Sequence, residues 1–273
     1  MAENLLKGKK GIIFGALNDQ SIAWKTAIQA HAQGAELVLT NAPVAMRMGE
    51  IHELAKQVGG APVVPADATS VEDLTNLFEQ AMEHFGGQVD FVLHSIGMSP
   101  NVRKGKHYTD INYNWLQTTL DVSAISLHKT LAVAKKLDAI QEWGSVVALT
   151  YIAAQRIFPD YGDMADAKSL LESITRSFGY HYGVERKVRI NTVSQSPTIT
   201  TAGSGVKGFD EFIAYSESMS PLGNADGTAC ADYCISLFSD FTRYVTMQNL
   251  FHDGGFSNTG VSQEIIEKFG PNA

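Results

Sequence analysis

Short apolar runs of strand character recur through the chain, at 11–15, 36–40, 62–65, 90–95, 145–150, 188–193 and 246–252. Longer stretches of helical periodicity separate most of them, at 21–33, 71–85, 114–137 and 164–182. This alternation most constrains what the chain can fold into. Strands that are apolar almost throughout, rather than at every second residue, have no face to offer to water. They belong inside a parallel sheet covered by helices on both sides, so the expected class is α/β with a doubly wound sheet. No repeat, low-complexity tract or linker divides the 273 residues, and one domain over 1–273 is expected. The segment 198–221 departs from the alternation; Gly203, Gly205 and Gly208 lie close together in it, and it reads as a mobile flap.

Charge excludes several classes of partner. With 29 acidic against 21 basic residues and a net charge of -8, the chain lacks the basic stripe of a nucleic-acid binder. The local cluster Arg103-Lys104-Gly105-Lys106 is a solvated loop or a contact for an anionic partner. No stretch approaches the ~18 apolar residues of a membrane span, and residues 1–10 carry no apolar signal core. Cys230 and Cys234, four apart in an apolar, helix-compatible run, suit buried thiols in a reducing compartment. A cytoplasmic location is expected, and a metal site is not.

In an open, Rossmann-like parallel sheet, ligands bind outside the carboxyl ends of the strands, so the turns at that edge are the candidates. Gly15 closes the first run, and Ser21-Ile22-Ala23 leads into a helix whose N-terminal N–H groups would hold a pyrophosphate. The later glycines of a G-x-G-x-x-G fingerprint are absent, and the alternative is a plain turn capped by Ser21. Asp67, followed by Ala68, is placed to accept from an adenine amino group, or belongs to the N-cap region of the helix that begins near Val71. Ser95-Ile96-Gly97 closes the fourth run, with Gly97 either open to a ligand or simply a tight turn.

The run from Tyr151 to Lys168 follows the fifth strand and opens a helix. Tyr161 and Lys168 are seven apart; on one α-helix they would face the same way, about 10 Å apart along the axis, if the helix began at Tyr161, although only the latter half of the run need be helical. Lys168 would then hold a ribose hydroxyl and lower the pKa of the neighbouring phenol, while Tyr161 presents its hydroxyl to a substrate oxygen. The competing reading is an amphipathic surface tyrosine and a snorkelling lysine.

From 8 to 257 the chain resembles the short-chain dehydrogenase/reductase superfamily, and within it the divergent branch of enoyl-acyl-carrier-protein reductases. The motifs that carry the resemblance come in order: Gly15 with Ser21-Ile22-Ala23, Asp67, His94-Ser95-Ile96-Gly97, Tyr151, Tyr161, Lys168, Arg189-Ile190-Asn191 and Asp253-Gly254-Gly255-Phe256. Ordinary superfamily members carry a tyrosine four residues before the lysine and a serine thirteen before that tyrosine; here those positions hold Met164 and Tyr151. Methionine has no proton to give, which counts against carbonyl reduction. The enoyl reductase branch uses a tyrosine seven before the lysine, as Tyr161 is.

The resemblance implies reduction of a trans-2-enoyl thioester carried on acyl carrier protein, with Tyr161 bonded to the thioester oxygen and Lys168 to the nicotinamide ribose. Tyr151, Met164 and Ser99 would line the substrate pocket. It further implies that Thr198 reaches the nicotinamide carboxamide through its backbone, that residues 200–209 order over the substrate, and that the assembly is a homotetramer. Ser196 stands where the family pattern has glycine. NADH is the expected cofactor; Thr40-Asn41-Ala42 offers no acidic residue for a ribose 2′-hydroxyl, so NADPH through Arg47 stays open. The other readings are a carbonyl reductase of the wider superfamily and a non-catalytic dinucleotide-binding sensor.

Overall fold

The computed structural model describes residues 4–47, 49–200 and 208–270. Its elements, in chain order, are β1 (Lys10–Phe14), α1 (Ile22–Ala32), β2 (Glu36–Thr40), α2 (Pro43–Met46), α3 (Ile51–Gln57), α4 (Val71–Phe85), β3 (Val89–His94), α5 (Pro100–Arg103) and α6 (Tyr113–Leu120). There follow α7 (Ser126–Lys136), β4 (Ile140–Thr150), α8 (Met164–Arg186), β5 (Arg189–Gln195), α9 (Phe209–Met219), α10 (Gly227–Phe238), β6 (Asn249–His252) and α11 (Gln263–Lys268). All six strands pair in parallel, in the order β2-β1-β3-β4-β5-β6. The doubly wound sheet expected from the alternation is therefore present.

The pleat sorts the strand side chains into two cores. Ile12 and Phe14 of β1, Val92 of β3 and Val146 and Ala148 of β4 point to one face, where α4, α7 and α8 pack. Ile13, Phe91, Leu93 and Val147 point to the other, against α1, α3 and α10. Helix α4 shows how local signals and burial agree. Ser70 accepts from the Asp73 N–H at its start, Gly86 ends it at φ 65°, and Leu74, Leu77, Phe78, Ala81 and Phe85 bury one face.

Four expectations change. The run 62–65 is not a strand: Pro62 and Pro65 have no N–H to pair, and a single bridge from Val63 to Leu39 remains on the outer side of β2. The helix expected over 114–137 is interrupted by one wide π turn at Asp121–Ile125. The last strand covers only the end of 246–252, after Met247 at φ 61°. Within 198–221, residues 209–219 form α9, whereas 201–207, with Gly203 and Gly205, lie outside the described residues.

Candidate active site

Because the sheet is wholly parallel, the turns after β1, β3, β4 and β5 meet at one edge. The first two touch through backbone. Gly15 has φ +93°, and a Cβ there would lie 2.0 Å from the Ser95 carbonyl oxygen, so only glycine lets the two turns close on each other. Ser21 holds the N-cap position of α1 without capping it: its hydroxyl accepts from the Leu17 N–H (3.2 Å) and donates to the Asn18 carbonyl (2.5 Å). The hydroxyl folds the turn and leaves the first helical N–H groups, from Ile22 onward, facing out with no acidic residue in the first turn.

Asp67 is not the N-cap of α4; that position belongs to Ser70. One Asp67 carboxylate oxygen accepts from the Thr69 N–H (2.9 Å) and hydroxyl (2.8 Å). Asp67 and Ala68 line a small cleft with Phe14, Ile96 and Val122, whose apolar walls stand beside the polar groups of Asn41, Asp67 and Thr69. Asn41 ties the floor by donating to the Ala16 carbonyl at 2.9 Å. A Cβ at Gly97 would stand 3.6 Å from the Lys168 ammonium nitrogen, so this turn lies directly over Lys168. Ser123, in the π turn, anchors its exit by accepting from the Met98 N–H (2.9 Å) and donating to the Met98 carbonyl (3.1 Å).

Tyr161 and Lys168 do not share a helix. Tyr161 ends a short 3-10 turn at Pro159–Tyr161, Gly162 follows at φ 50°, and α8 starts only at Met164. The phenol reaches the site from this turn, with its ring 5.2 Å from that of Tyr151. Burial raises the pKa of both phenols, so both hold their protons and act as donors; the expected lowering of the Tyr161 pKa by Lys168 is absent. The Tyr151 hydroxyl is buried with no hydrogen-bond partner among the described residues.

Lys168 is buried, and it donates to the Leu149 carbonyl at 2.9 Å. Burial lowers its pKa to about 8, against the opposing pull of Glu172. His94, at the end of β3, is fully buried, and its pKa falls to about 3 through burial and the Lys168 charge. It is a neutral ring bonded to the Ser126 hydroxyl at 2.9 Å. Met164 is buried in the core beside this group and supplies an apolar wall.

A family model described as enoyl-(acyl carrier protein) reductase matches residues 15–257. The chain belongs to that family. It is 33% identical to the NADH enoyl-[acyl-carrier-protein] reductase FabI of Rickettsia bellii over 97% of this chain and 100% of that one. The crystal structure of the FabI–NADH complex from Alistipes finegoldii is similar at 64% identity and a TM-score of 0.96, over 99% of this chain and 95% of the other. The enoyl-[acyl-carrier-protein] reductase of Aquifex aeolicus shares 30% identity and a TM-score of 0.87, over 94% and 99%.

In this enoyl reductase fold the residues read from the sequence come together unequally. Gly15, Ser95, Ile96, Gly97, Met164 and Lys168 meet at one edge, as do Tyr151 and Tyr161. Thr198 lies beyond β5, its hydroxyl donating to the Ser196 carbonyl at 2.9 Å. Ser196, in place of glycine, has a structural use: its hydroxyl accepts from the Ala225 N–H at 3.1 Å. Ser99 is buried, and its hydroxyl donates to Asp163 (2.6 Å) and accepts from the Val102 N–H (3.0 Å), so its backbone is what remains for a substrate.

Sequence reasoning missed Asp163, which is wholly buried and takes hydrogen bonds from Ser99, Asn101 (2.7 Å) and Thr119 (2.9 Å). It also missed the aromatic wall: Phe158 lies 5.4 Å from the Tyr151 ring, and Phe212 of α9 crosses both Tyr151 and Phe158 edge-on. Among the described residues, no helix is long and apolar enough to cross a membrane.

Proposed function

We propose that the chain reduces the carbon–carbon double bond of a trans-2-enoyl thioester carried on acyl carrier protein, with NADH as reductant. The observation that carries this reading is the placement of proton donors. Tyr161 and Tyr151 stand together, both protonated, while buried Lys168 lies under the Gly97 turn next to Met164, which, at the position a carbonyl reducer needs for a donor, has no proton to give. Family membership supports the same chemistry, and the names of the Rickettsia and Alistipes relatives support NADH.

The edge fits a dinucleotide. The open N-terminus of α1 beside Gly15 suits the pyrophosphate; the cleft at Asp67 and Ala68 suits the adenine; Ser95, Ile96 and Gly97 suit the nicotinamide ribose; and the Thr198 backbone suits the carboxamide. When bound, NADH supplies the hydride that adds to the substrate β-carbon. Lys168 has three donors, of which one goes to the Leu149 carbonyl, leaving two for ribose hydroxyls. Tyr161 donates to the thioester oxygen, where negative charge collects, and Tyr151, Met164 and the Ser99 backbone wall the pocket. Phe158 and Phe212 exclude water from it.

The protein acts as one domain and in the cytoplasm, as two buried free thiols suit. It assembles as a homotetramer: Tyr180 and Val184 are exposed one turn apart on α8, and Phe241 and Tyr244 are exposed beside the edge strand β6. The test is loss of NADH absorbance with a crotonyl thioester, against a ketone and against NADPH. Oxidation with the thioester is expected, and Tyr161→Phe should lower turnover by about 10²–10³. Oxidation with the ketone alone would overturn the reading.

A further inference from the structure

Glu172 stands four residues after Lys168 on α8, so the two side chains share one face of the helix. A carboxylate that is only 4% exposed needs a reason to be there. One oxygen accepts from the Thr150 hydroxyl at 3.1 Å, and the other from the Gln155 side-chain amide at 3.0 Å. Thr150 is the last residue of β4, and Gln155 follows the short turn Ile152–Ala154 that begins next to Tyr151. The two donors therefore bracket Tyr151, and both are fastened to the helix that carries Lys168.

We infer that Glu172 is a positioning residue of the reacting centre: its buried carboxylate straps the Tyr151 turn to the Lys168 helix and balances the lysine's charge. The inference rests on the proposed reaction, in which both Tyr151 and Lys168 serve. The strap fixes the turn by its two ends, so the Tyr151 ring is held against Tyr161 without a bond to its own hydroxyl from any described residue.

The charge balance follows from what surrounds the lysine. His94, on β3, feels the lysine's charge and is neutral, and Tyr151 and Tyr161, in the turns after β4, hold their protons and bring no charge. Asp121, the acid of the π turn, pairs with Lys129 at 2.7 Å, and Arg176 lies one further turn along α8 and acts on Glu172. Glu172 is the anion that acts on Lys168, and it opposes the effect of burial.

The test begins with the protein free of nucleotide. Lys168 loses its proton in the folded state near pH 8, well below an ordinary lysine, so the wild type should gain stability as pH rises from about 8 toward 10.5. In Glu172→Gln the lower end of that window should move down by about one pH unit. NADH binding, followed by fluorescence, should weaken with rising pH at a correspondingly lower midpoint. Gln155→Ala, which cuts one end of the strap and keeps the carboxylate, should lower kcat about tenfold while leaving the pH window in place.

Should Glu172→Gln fail to fold, Glu172→Asp carries the same measurement: the shorter acid keeps the charge and the wild-type window but loses the strap, and so lowers kcat. An unmoved window in Glu172→Gln, or wild-type kcat in Gln155→Ala, would overturn the inference. A wild type that oxidises no NADH with an enoyl thioester would sink the proposed reaction instead, and the apo titration tells the two failures apart.

Discussion

The cofactor edge and the reacting centre adjoin at the carboxyl ends of the same strands, yet they are made of different material. The first is backbone: Gly15 pressed on the Ser95 carbonyl, the open start of α1 and the Gly97 turn. The second is side chains taken out of water, with Lys168, Asp163 and Glu172 each buried and each tied by hydrogen bonds. A backbone site has no rotamers to lose and tolerates most side-chain exchange, but it fails wherever a Cβ is added at the point of contact. A side-chain site can be tuned one group at a time, and every change is felt by the partners left behind.

The harshest way to break the comparison is Gly15→Ala. The new Cβ meets the Ser95 oxygen at 2.0 Å from a backbone at φ +93°, so both strain and overlap must be relieved by moving the turn. We expect a loss of about 3–5 kcal/mol in stability and no measurable NADH binding. Thermal unfolding and fluorescence titration check both. A variant that still binds NADH with wild-type affinity would show that the edge does not depend on backbone contact.

The backbone half of the site was also the legible half. Alternating runs, Gly15 after a strand and Gly97 after another are local signals, and the sheet follows from them without knowledge of any distant partner. The side-chain half is not local. Asp163 and Glu172 sit in what reads as the start and body of an amphipathic helix, where acids are ordinarily solvated, and their donors lie 64 and 22 residues away in Ser99 and Thr150. Phe212 meets Tyr151 only because α9 folds back over the edge. The start of α8 is a local signal as well, and the helical stretch expected from 164 begins there. Gly162-Asp163 before Met164 is a breaker followed by an N-cap residue type, which places the start of α8 after Tyr161 rather than at it.

Asp163→Ala sharpens the contrast from the other side, with a smaller effect. Thr119 has a second acceptor in the Trp115 carbonyl at 2.9 Å, so its hydroxyl can turn away from the missing carboxylate. Ser99 and the amide hydrogen of Asn101 that faced Asp163 have no such substitute, and each buried orphan costs about 1–3 kcal/mol. The expected loss is about 3 kcal/mol in denaturant unfolding, with NADH affinity nearly unchanged because Gly15 and α1 are untouched. Equal damage to binding and to folding would mean that the two halves of the site are one unit.

Lys168→Met has the smallest effect on the fold, and its sign is opposite. The folded state binds the Lys168 proton less tightly than the unfolded chain does, since its pKa falls from 10.5 to about 8. Below pH 8 the lysine is charged in both states, and the folded protein carries the whole cost of burying that charge; the cost is relieved as pH rises between about 8 and 10.5. Methionine keeps the apolar stem and removes the charge, at the loss of one hydrogen bond to the Leu149 carbonyl. Made in the Glu172→Gln background, so that no unbalanced buried carboxylate is left, the change should therefore stabilise the protein at pH 7 by about 1–2 kcal/mol and remove the rise in stability above pH 8, while turnover disappears. If Lys168→Met in that background were instead destabilising at pH 7, the ammonium would be part of what holds the fold together, and the reacting centre could not be read as chemistry maintained against stability.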